Sequence, residues 1–203
     1  MIVNEIFRSI QGESTYSGRP CVFIRLTGCN LRCSYCDTKY SYKNGKKMSV
    51  KQVYNKIKSL FKENDIVEIT GGEPMLQRKK IVKVIKEILQ YNTNIKHHLE
   101  TNGTIHILPY LIYFDYICVS PKTPTIAYVW DELKDSLPMD IDIKVVTDMV
   151  TVGLDVIPYA TMLMPLTTGD KKKDLEIKQK VWDYCVKHGL RYSPRLHVDV
   201  GKR

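Results

Sequence analysis

Apolar runs of strand length recur along this chain, at residues 21–27, 66–70, 95–101, 116–120, 141–146 and 161–164, and segments of helical period separate them. That alternation restricts the fold more than any other feature. Strand alternating with helix argues for a mainly parallel sheet with its helices outside. The clearest helix follows Ser49, a good N-cap, and sets Val50, Val53, Tyr54, Ile57, Leu60 and Phe61 on one face. A second carries Ile81, Ile85, Ile88 and Leu89; a third runs from about Asp174 to His188 and stops before Gly189. The expected fold is α/β: a partial, open (β/α)6-type barrel of mainly parallel strands with outer helices. No repeat, low-complexity stretch or Pro/Gly/Ser-rich linker divides the 203 residues, so 1–203 is expected to be a single domain.

In parallel α/β folds, ligands bind beyond the C-terminal ends of the strands. Unusual short sequences stand at four of those ends. Gly28-Cys29 follows the first run, Gly71-Gly72-Glu73-Pro74 the second, Asn102-Gly103 the third and Ser120-Pro121-Lys122 the fourth. Together they predict a site.

Composition narrows the possible partners. Apolar residues at 43% and charged residues at 26% are ordinary for a soluble globular protein. The opening MIVNEIFRSIQGES meets charge too early for a signal peptide, and no run of apolar residues is long enough to span a bilayer. A cytoplasmic protein with no membrane partner is expected. The net charge is +9, but the excess is mostly scattered lysine, as at Lys46-Lys47, Lys79-Lys80 and Lys171-Lys172-Lys173. Readers of nucleic acid concentrate their basic residues and add a recognisable module, and none is found, so no nucleic-acid partner is expected. A solvated basic surface would also favour an acidic small substrate or an acidic electron donor.

Six cysteines in such a chain do not suggest a disulfide framework. Cys21, Cys118 and Cys185 lie singly in apolar surroundings, as small buried hydrophobes do. The other three, Cys29, Cys33 and Cys36, are spaced C-x3-C-x2-C. Iron–sulfur cubanes are normally held by four thiolates. Three with no fourth nearby would leave an open coordination position, as a catalytic metal centre requires. A zinc loop is the alternative, although no second half of a zinc site is found.

With Tyr35 before the last cysteine, this spacing resembles the signature of the radical S-adenosylmethionine superfamily. The resemblance implies a [4Fe–4S] cluster on Cys29, Cys33 and Cys36. Its fourth iron would be chelated by S-adenosylmethionine, which one electron cleaves to a 5′-deoxyadenosyl radical. Gly71-Gly72-Glu73-Pro74 looks like the family's GGEP element, whose glycines let backbone approach the methionine amino group. Tyr35, Cys36, Asp37, Gly72, Ser120, Pro121, Lys122 and Met164 are the implied cofactor contacts.

Further segments narrow the resemblance to the 7-carboxy-7-deazaguanine synthases. They are Phe7-Arg8-Ser9-Ile10-Gln11-Gly12-Glu13, Gly18-Arg19-Pro20, Phe23 to Cys29 with Arg25 inside, Cys36-Asp37-Thr38, Glu100-Thr101-Asn102-Gly103, and Ser193-Pro194-Arg195-Leu196-His197. They run over nearly the whole chain in the family's order. The implied reaction contracts the ring of 6-carboxy-5,6,7,8-tetrahydropterin to 7-carboxy-7-deazaguanine with loss of ammonia, a step towards queuosine-type bases. Thr38 would ligate Mg²⁺, which the substrate carboxylate would share. Ile10, Gln11, Gly12, Glu13, Arg25, Thr70 and His197 would contact the pterin, as would the carboxylate of Arg203. A flavodoxin-like electron donor and a homodimer are implied as well.

His97, His98, His106 and His188 are read as packing or structural. Ser14 departs from the glycine that often follows Gln-Gly-Glu in the family, and Met164 from a commoner glutamine. Two rival functions share some of these features. A glycyl-radical-enzyme activase shares the cysteine spacing and GGEP, and a metal-stabilised binding module would account for clustered cysteines without catalysis.

Overall fold

The computed structural model describes residues 1–63 and 65–202. They fall into two compact units interleaved along the chain. One comprises Met1–Ile10, Arg19–Thr101 and Ile105–Ile117; the other comprises Gln11–Gly18, Asn102–Thr104 and the chain from Cys118 onward.

The first unit contains β1 (Ile2–Ile10), β2 (Pro20–Leu26), β3 (Lys46–Lys47), α1 (Val50–Leu60), β4 (Ile66–Gly71), α2 (Arg78–Leu89) and β5 (Lys96–Thr101). It also holds the start of β6 (Tyr116–Val119). The strand order is β3-β1-β2-β4-β5. The β2, β4 and β5 strands are parallel, while β1 runs antiparallel to both of its neighbours. Helix α1 starts where its sequence says it should. The Ser49 side chain accepts from Gln52 N, and the Gln52 side chain accepts from Ser49 N, closing a capping box. Val53, Tyr54 and Ile57 of α1, with Ile81, Ile85 and Ile88 of α2, form the buried faces of the two helices.

The second unit contains α3 (Pro124–Lys134), β7 (Asp140–Thr147), β8 (Met162–Pro165), α4 (Lys171–His188), β9 (Arg191–Tyr192) and the short α5 (Leu196–Asp199). Strands β7, β8 and β9 are parallel neighbours in that order. Helix α4 is capped by Asp170, which accepts from Lys172 N and Lys173 N, and it ends at Gly189 with φ 68°. Among the described residues, no helix is long and apolar enough to cross a membrane.

All six expected strands are present, each with its boundaries shifted by no more than about one residue. Strands β1, β3 and β9 and helices α3 and α5 were not expected. The omission of β1 has a physical reason: it pairs over most of its length on one side only, so it mixes Asn4, Glu5, Arg8 and Ser9 with its apolar residues. Cys21, Cys118 and Cys185 are buried as expected, as are His97 and His98, while His188 stacks on Tyr184 at the end of α4.

One charge pair joins β1 to the turn before β4. Arg8 donates from Nε and Nη2 to the two oxygens of buried Asp65, at 2.7 and 2.8 Å. Burial alone would raise the Asp65 carboxyl, but Arg8 and the Lys62 N–H outweigh it and hold the group below its usual value. A carboxyl lower in the folded than in the unfolded chain contributes stability above the unfolded pKa, near 4, and that contribution is lost as pH falls further. Urea unfolding should therefore show a midpoint that drops between pH 6 and pH 3. Asp65→Asn should lower the midpoint at pH 6 and flatten the drop.

Candidate functional site

The chain leaves β2 through Gly28, whose φ of 98° favours glycine, and enters the loop that carries Cys29, Cys33 and Cys36. Two backbone bonds lock this loop to its surroundings, Gly28 N to Ser41 O at 2.9 Å and Glu73 N to Gly28 O at 2.8 Å. The three cysteines take part in no disulfide and are of intermediate exposure. Leu31 N points at Cys29 Sγ from 3.4 Å, and Cys36 N bonds Cys33 O at 3.3 Å. Burial pushes the Cys29 thiol up, the Leu31 N–H opposes it, and Glu73, Cys33 and Cys36 add to it. Cys33 and Cys36 thus lie close enough to act on Cys29.

Two neighbours of this loop escaped the sequence reading. Cys36 pushes the Tyr42 phenol up from its ordinary value, and Arg32 lies over the Tyr42 ring at 4.6 Å. Arg32 also donates to Cys29 O and Leu31 O at 2.6 and 2.7 Å.

The donor set fits a cubane. Among the described residues no three His, Cys, Asp or Glu side chains converge tightly enough for a single ion, but a cubane places each thiolate on a different iron. The glycines of the β4 turn fit as well. A Cβ on Gly72 would lie 2.3 Å from Gly28 O and 2.8 Å from Cys29 Cβ, so only glycine lets this backbone sit against the cysteine loop. Glu73 is buried and acts as a clip, accepting from Met75 N at 2.9 Å and Thr101 Oγ1 at 2.8 Å. Tyr35 is half-buried between the last two cysteines. Beyond them, Thr38 Oγ1 donates to Asp37 Oδ1 at 2.7 Å, which pairs two hard oxygen donors.

Arg25 and Thr70 share this unit. Register pairs Glu5 with Arg25 across β1 and β2, and Arg25 Nε donates to Glu5 Oε1 at 2.9 Å. Tyr40 donates to the same oxygen at 3.1 Å, so Glu5 holds both side chains. Thr70 Oγ1 donates to Glu100 Oε2 at 2.9 Å. Ile10 ends β1 with an exposed side chain. A cavity of about 610 Å³ beside Asn4, Lys46, Met48 and Gln52 contains none of the expected site residues.

The second unit gathers the remaining expected residues around the loop Gln11–Gly18. Gly18 N closes the loop on Gln11 O at 2.8 Å, and Gln11 Oε1 accepts from Glu13 N at 3.2 Å. Glu13 is largely buried in a cationic setting. Lys144 Nζ of β7 lies 2.5 Å from its Oε2, while Arg195 Nε and His197 Nε2 lie 3.4 and 3.9 Å from its Oε1. Burial opposes ionisation, but Lys144 and Arg195 outweigh it and hold the carboxyl well below its usual range.

The same loop is clamped at three further points. Thr15 Oγ1 donates to Asp142 Oδ2 at 2.5 Å, where Arg191 also pairs with Asp142. Ser14 N donates to Ser193 Oγ at 2.8 Å, and Leu196 N to Gly12 O at 2.9 Å. Gly12 is buried so closely that a Cβ would meet His197 Nδ1 at 2.3 Å. Elsewhere in this unit, Lys122 Nζ donates to Ser120 Oγ at 2.7 Å beside buried Pro121, and Met164 is buried on β8. Arg203 lies outside the described residues.

The serine at position 14 has a structural cost. Ser14 adopts φ 62°, and its Oγ is buried without a hydrogen-bond partner. Left-handed backbone is unfavourable for a residue with a Cβ by about 1–2 kcal/mol. Ser14→Gly is therefore expected to raise stability by about 1 kcal/mol in urea unfolding, with the Glu13 contacts retained.

Lys144 and Glu73 were missed for different reasons. The one available signal for Lys144 was a lone lysine inside the apolar run 141–146. Glu73 was noticed only as part of a turn.

Comparison with known proteins adds an independent line. The family model described as Radical SAM superfamily matches residues 23–176. A 7-carboxy-7-deazaguanine synthase of Koribacter versatilis is 45% identical over 103 residues, which are 51% of this chain and 44% of that one. A protein of the same name from Hyperthermus butylicus is 33% identical over an alignment of 223 positions, covering 98% of this chain and 92% of its own. The crystal structure of QueE from Escherichia coli superposes with a TM-score of 0.61 over 97% of this chain and 94% of that one. At 19% identity, this last match speaks for the fold: a mainly parallel α/β arrangement of the class expected from the sequence.

Proposed function

Because the chain belongs to the radical S-adenosylmethionine superfamily and, within it, to the 7-carboxy-7-deazaguanine synthases, we propose that it contracts the ring of 6-carboxy-5,6,7,8-tetrahydropterin to 7-carboxy-7-deazaguanine with release of ammonia. Membership across the full length sets aside the activase and the binding module. The observation that carries the reading is the loop of three half-buried thiols, none in a disulfide, against which the Gly72 backbone is packed.

Cys29, Cys33 and Cys36 would hold the cluster. Tyr35, Cys36, Asp37, Gly72, Ser120, Pro121, Lys122 and Met164 would contact S-adenosylmethionine. When bound, the cluster and S-adenosylmethionine supply an electron and a radical able to remove a hydrogen atom, chemistry no side chain here can provide. The chain's own work is to bind, orient and exclude water. Gly72 keeps side-chain bulk out of the space beside Cys29. Glu13, fixed as a carboxylate, accepts from the amino-bearing edge of the pterin, with Gln11, the backbone at Ile10 and Gly12, and His197 beside it in the assignment. Arg25, held by Glu5, offers charge to the substrate carboxylate, and Thr70 offers a hydroxyl. Thr38, next to Asp37, supplies hard oxygen for Mg²⁺.

The reading extends to a flavodoxin-like reductant, a homodimer, cytoplasmic location and one working domain. Anaerobic incubation of reconstituted, reduced protein with the carboxylated pterin should produce deazaguanine absorbance and 5′-deoxyadenosine. Chelating Mg²⁺ should lower the rate, and adding it back should restore it. Protein that never forms 5′-deoxyadenosine under strong reduction would sink the assignment.

A further inference from the structure

Glu13 is set to recognise a neutral donor edge, and such an edge cannot by itself keep a buried carboxyl ionised. An amino group and a ring N–H need two acceptors, but a protonated carboxyl presents a donor on one oxygen. Burial favours the protonated form, so something else must hold the charge. The groups facing Glu13 are Lys144 from β7 and Arg195 and His197 from the C-terminal segment. Lys144 approaches most closely, from a rigid strand, and is itself only 4% exposed. Asp142, two residues before it, is engaged by Arg191 and Thr15.

We propose that Lys144 is a specificity-determining positioning residue, which fixes Glu13 as an oriented carboxylate so that it reads the amino-bearing edge of the substrate. The inference rests on the pterin reading above. Lys144 takes one site on Oε2 and comes from a strand whose backbone pairs with β8 at Lys144 itself. Of the cations around Glu13 it is therefore the one that can set both charge and direction.

The test uses the reconstituted holoenzyme under anaerobic conditions. Initial rates against the carboxylated pterin are measured from pH 5.5 to 8.5 for wild type, Lys144→Met, Lys144→Arg and the double variant Glu13→Gln with Lys144→Gln. A pterin analogue lacking the exocyclic amino group serves as a competitive inhibitor. Lys144→Met should raise KM roughly 10- to 100-fold, the scale of a lost charged hydrogen bond, with kcat changed by no more than a few-fold. That KM should climb further as pH falls and Glu13 takes up a proton, whereas the wild-type KM stays flat. Lys144→Arg should recover most of the loss. Wild type should bind the analogue much more weakly than the pterin, and Lys144→Met should lose that discrimination.

The double variant removes both members of the Lys144–Glu13 pair, so neither of those two charges is left facing an absent partner, which guards against a folding failure. Its KM should be high, independent of pH and blind to the amino group. A wild-type KM in either neutral variant, or a loss in Lys144→Met that is equal at every pH and for both compounds, would overturn the inference. Wild-type protein that never consumes the pterin would overturn the functional reading and this inference with it, an outcome visible before any variant is compared.

Discussion

Cys33→Ala is expected to fold normally, to emerge colourless from anaerobic reconstitution and to release no 5′-deoxyadenosine under strong reduction. Cys33 sits in a loop at intermediate exposure, and its backbone carbonyl accepts from Cys36 N. Trimming its thiol therefore removes little from the packed interior, and substitutions at such positions usually stay within about 0.5 kcal/mol. What it removes is one of the three ligands that a single loop provides, and no other cysteine can replace it. Cys21, Cys118 and Cys185 are buried. Cys21→Ala supplies the opposite control: brown protein, active, and less stable by about 1 kcal/mol for the lost buried sulfur. Visible absorbance, iron content and urea unfolding of the two variants separate ligand from packing. A brown, active Cys33→Ala protein would show that the cluster is held some other way.

Local rules made much of the fold legible. Ser49 marks the start of α1 and Gly189 the end of α4, because a cap depends on residues within a turn of the helix end. The buried central strands announced themselves by apolar content. The outer strand β1 did not, since a strand with one free edge carries polar residues, and with β1 went the Glu5–Arg25 pair that its register creates. The cysteine loop was legible for the same local reason: its ligands lie within eight residues of one another.

The setting of Glu13 was not legible in this way. Its strongest partner is 131 residues away, and nothing in a single sequence says which lysine folds back onto it. Glu73 shows the same limit on a smaller scale. Read locally it belongs to a turn, yet in three dimensions it ties the end of β4 to Thr101 at the end of β5.

Gly72→Ala should lower iron content and turnover together, the rate falling on the order of a hundredfold, the scale expected when reacting groups move by about 1 Å. The added methyl would lie 2.3 Å from Gly28 O, 2.7 Å from Gly28 C and 2.8 Å from Cys29 Cβ. Two of these atoms are backbone, so no side-chain rotation relieves the overlap, and the Gly28–Cys29 peptide must move. That peptide also accepts Glu73 N at 2.8 Å, so a shift breaks the bond that seats the loop on the β4 turn. Gly12→Ala is the instructive contrast. Its nearest clash is with the imidazole of His197, a side chain able to swing aside, so it should keep its iron and raise KM. Gly18→Ala meets no atom within 4 Å despite φ 91°, and should show only the backbone cost of about 1–2 kcal/mol in urea unfolding. Iron per chain, KM and unfolding midpoint measured on the three variants should therefore fail one at a time. Full iron content in Gly72→Ala would mean that the glycine turn does not shape the cysteine loop.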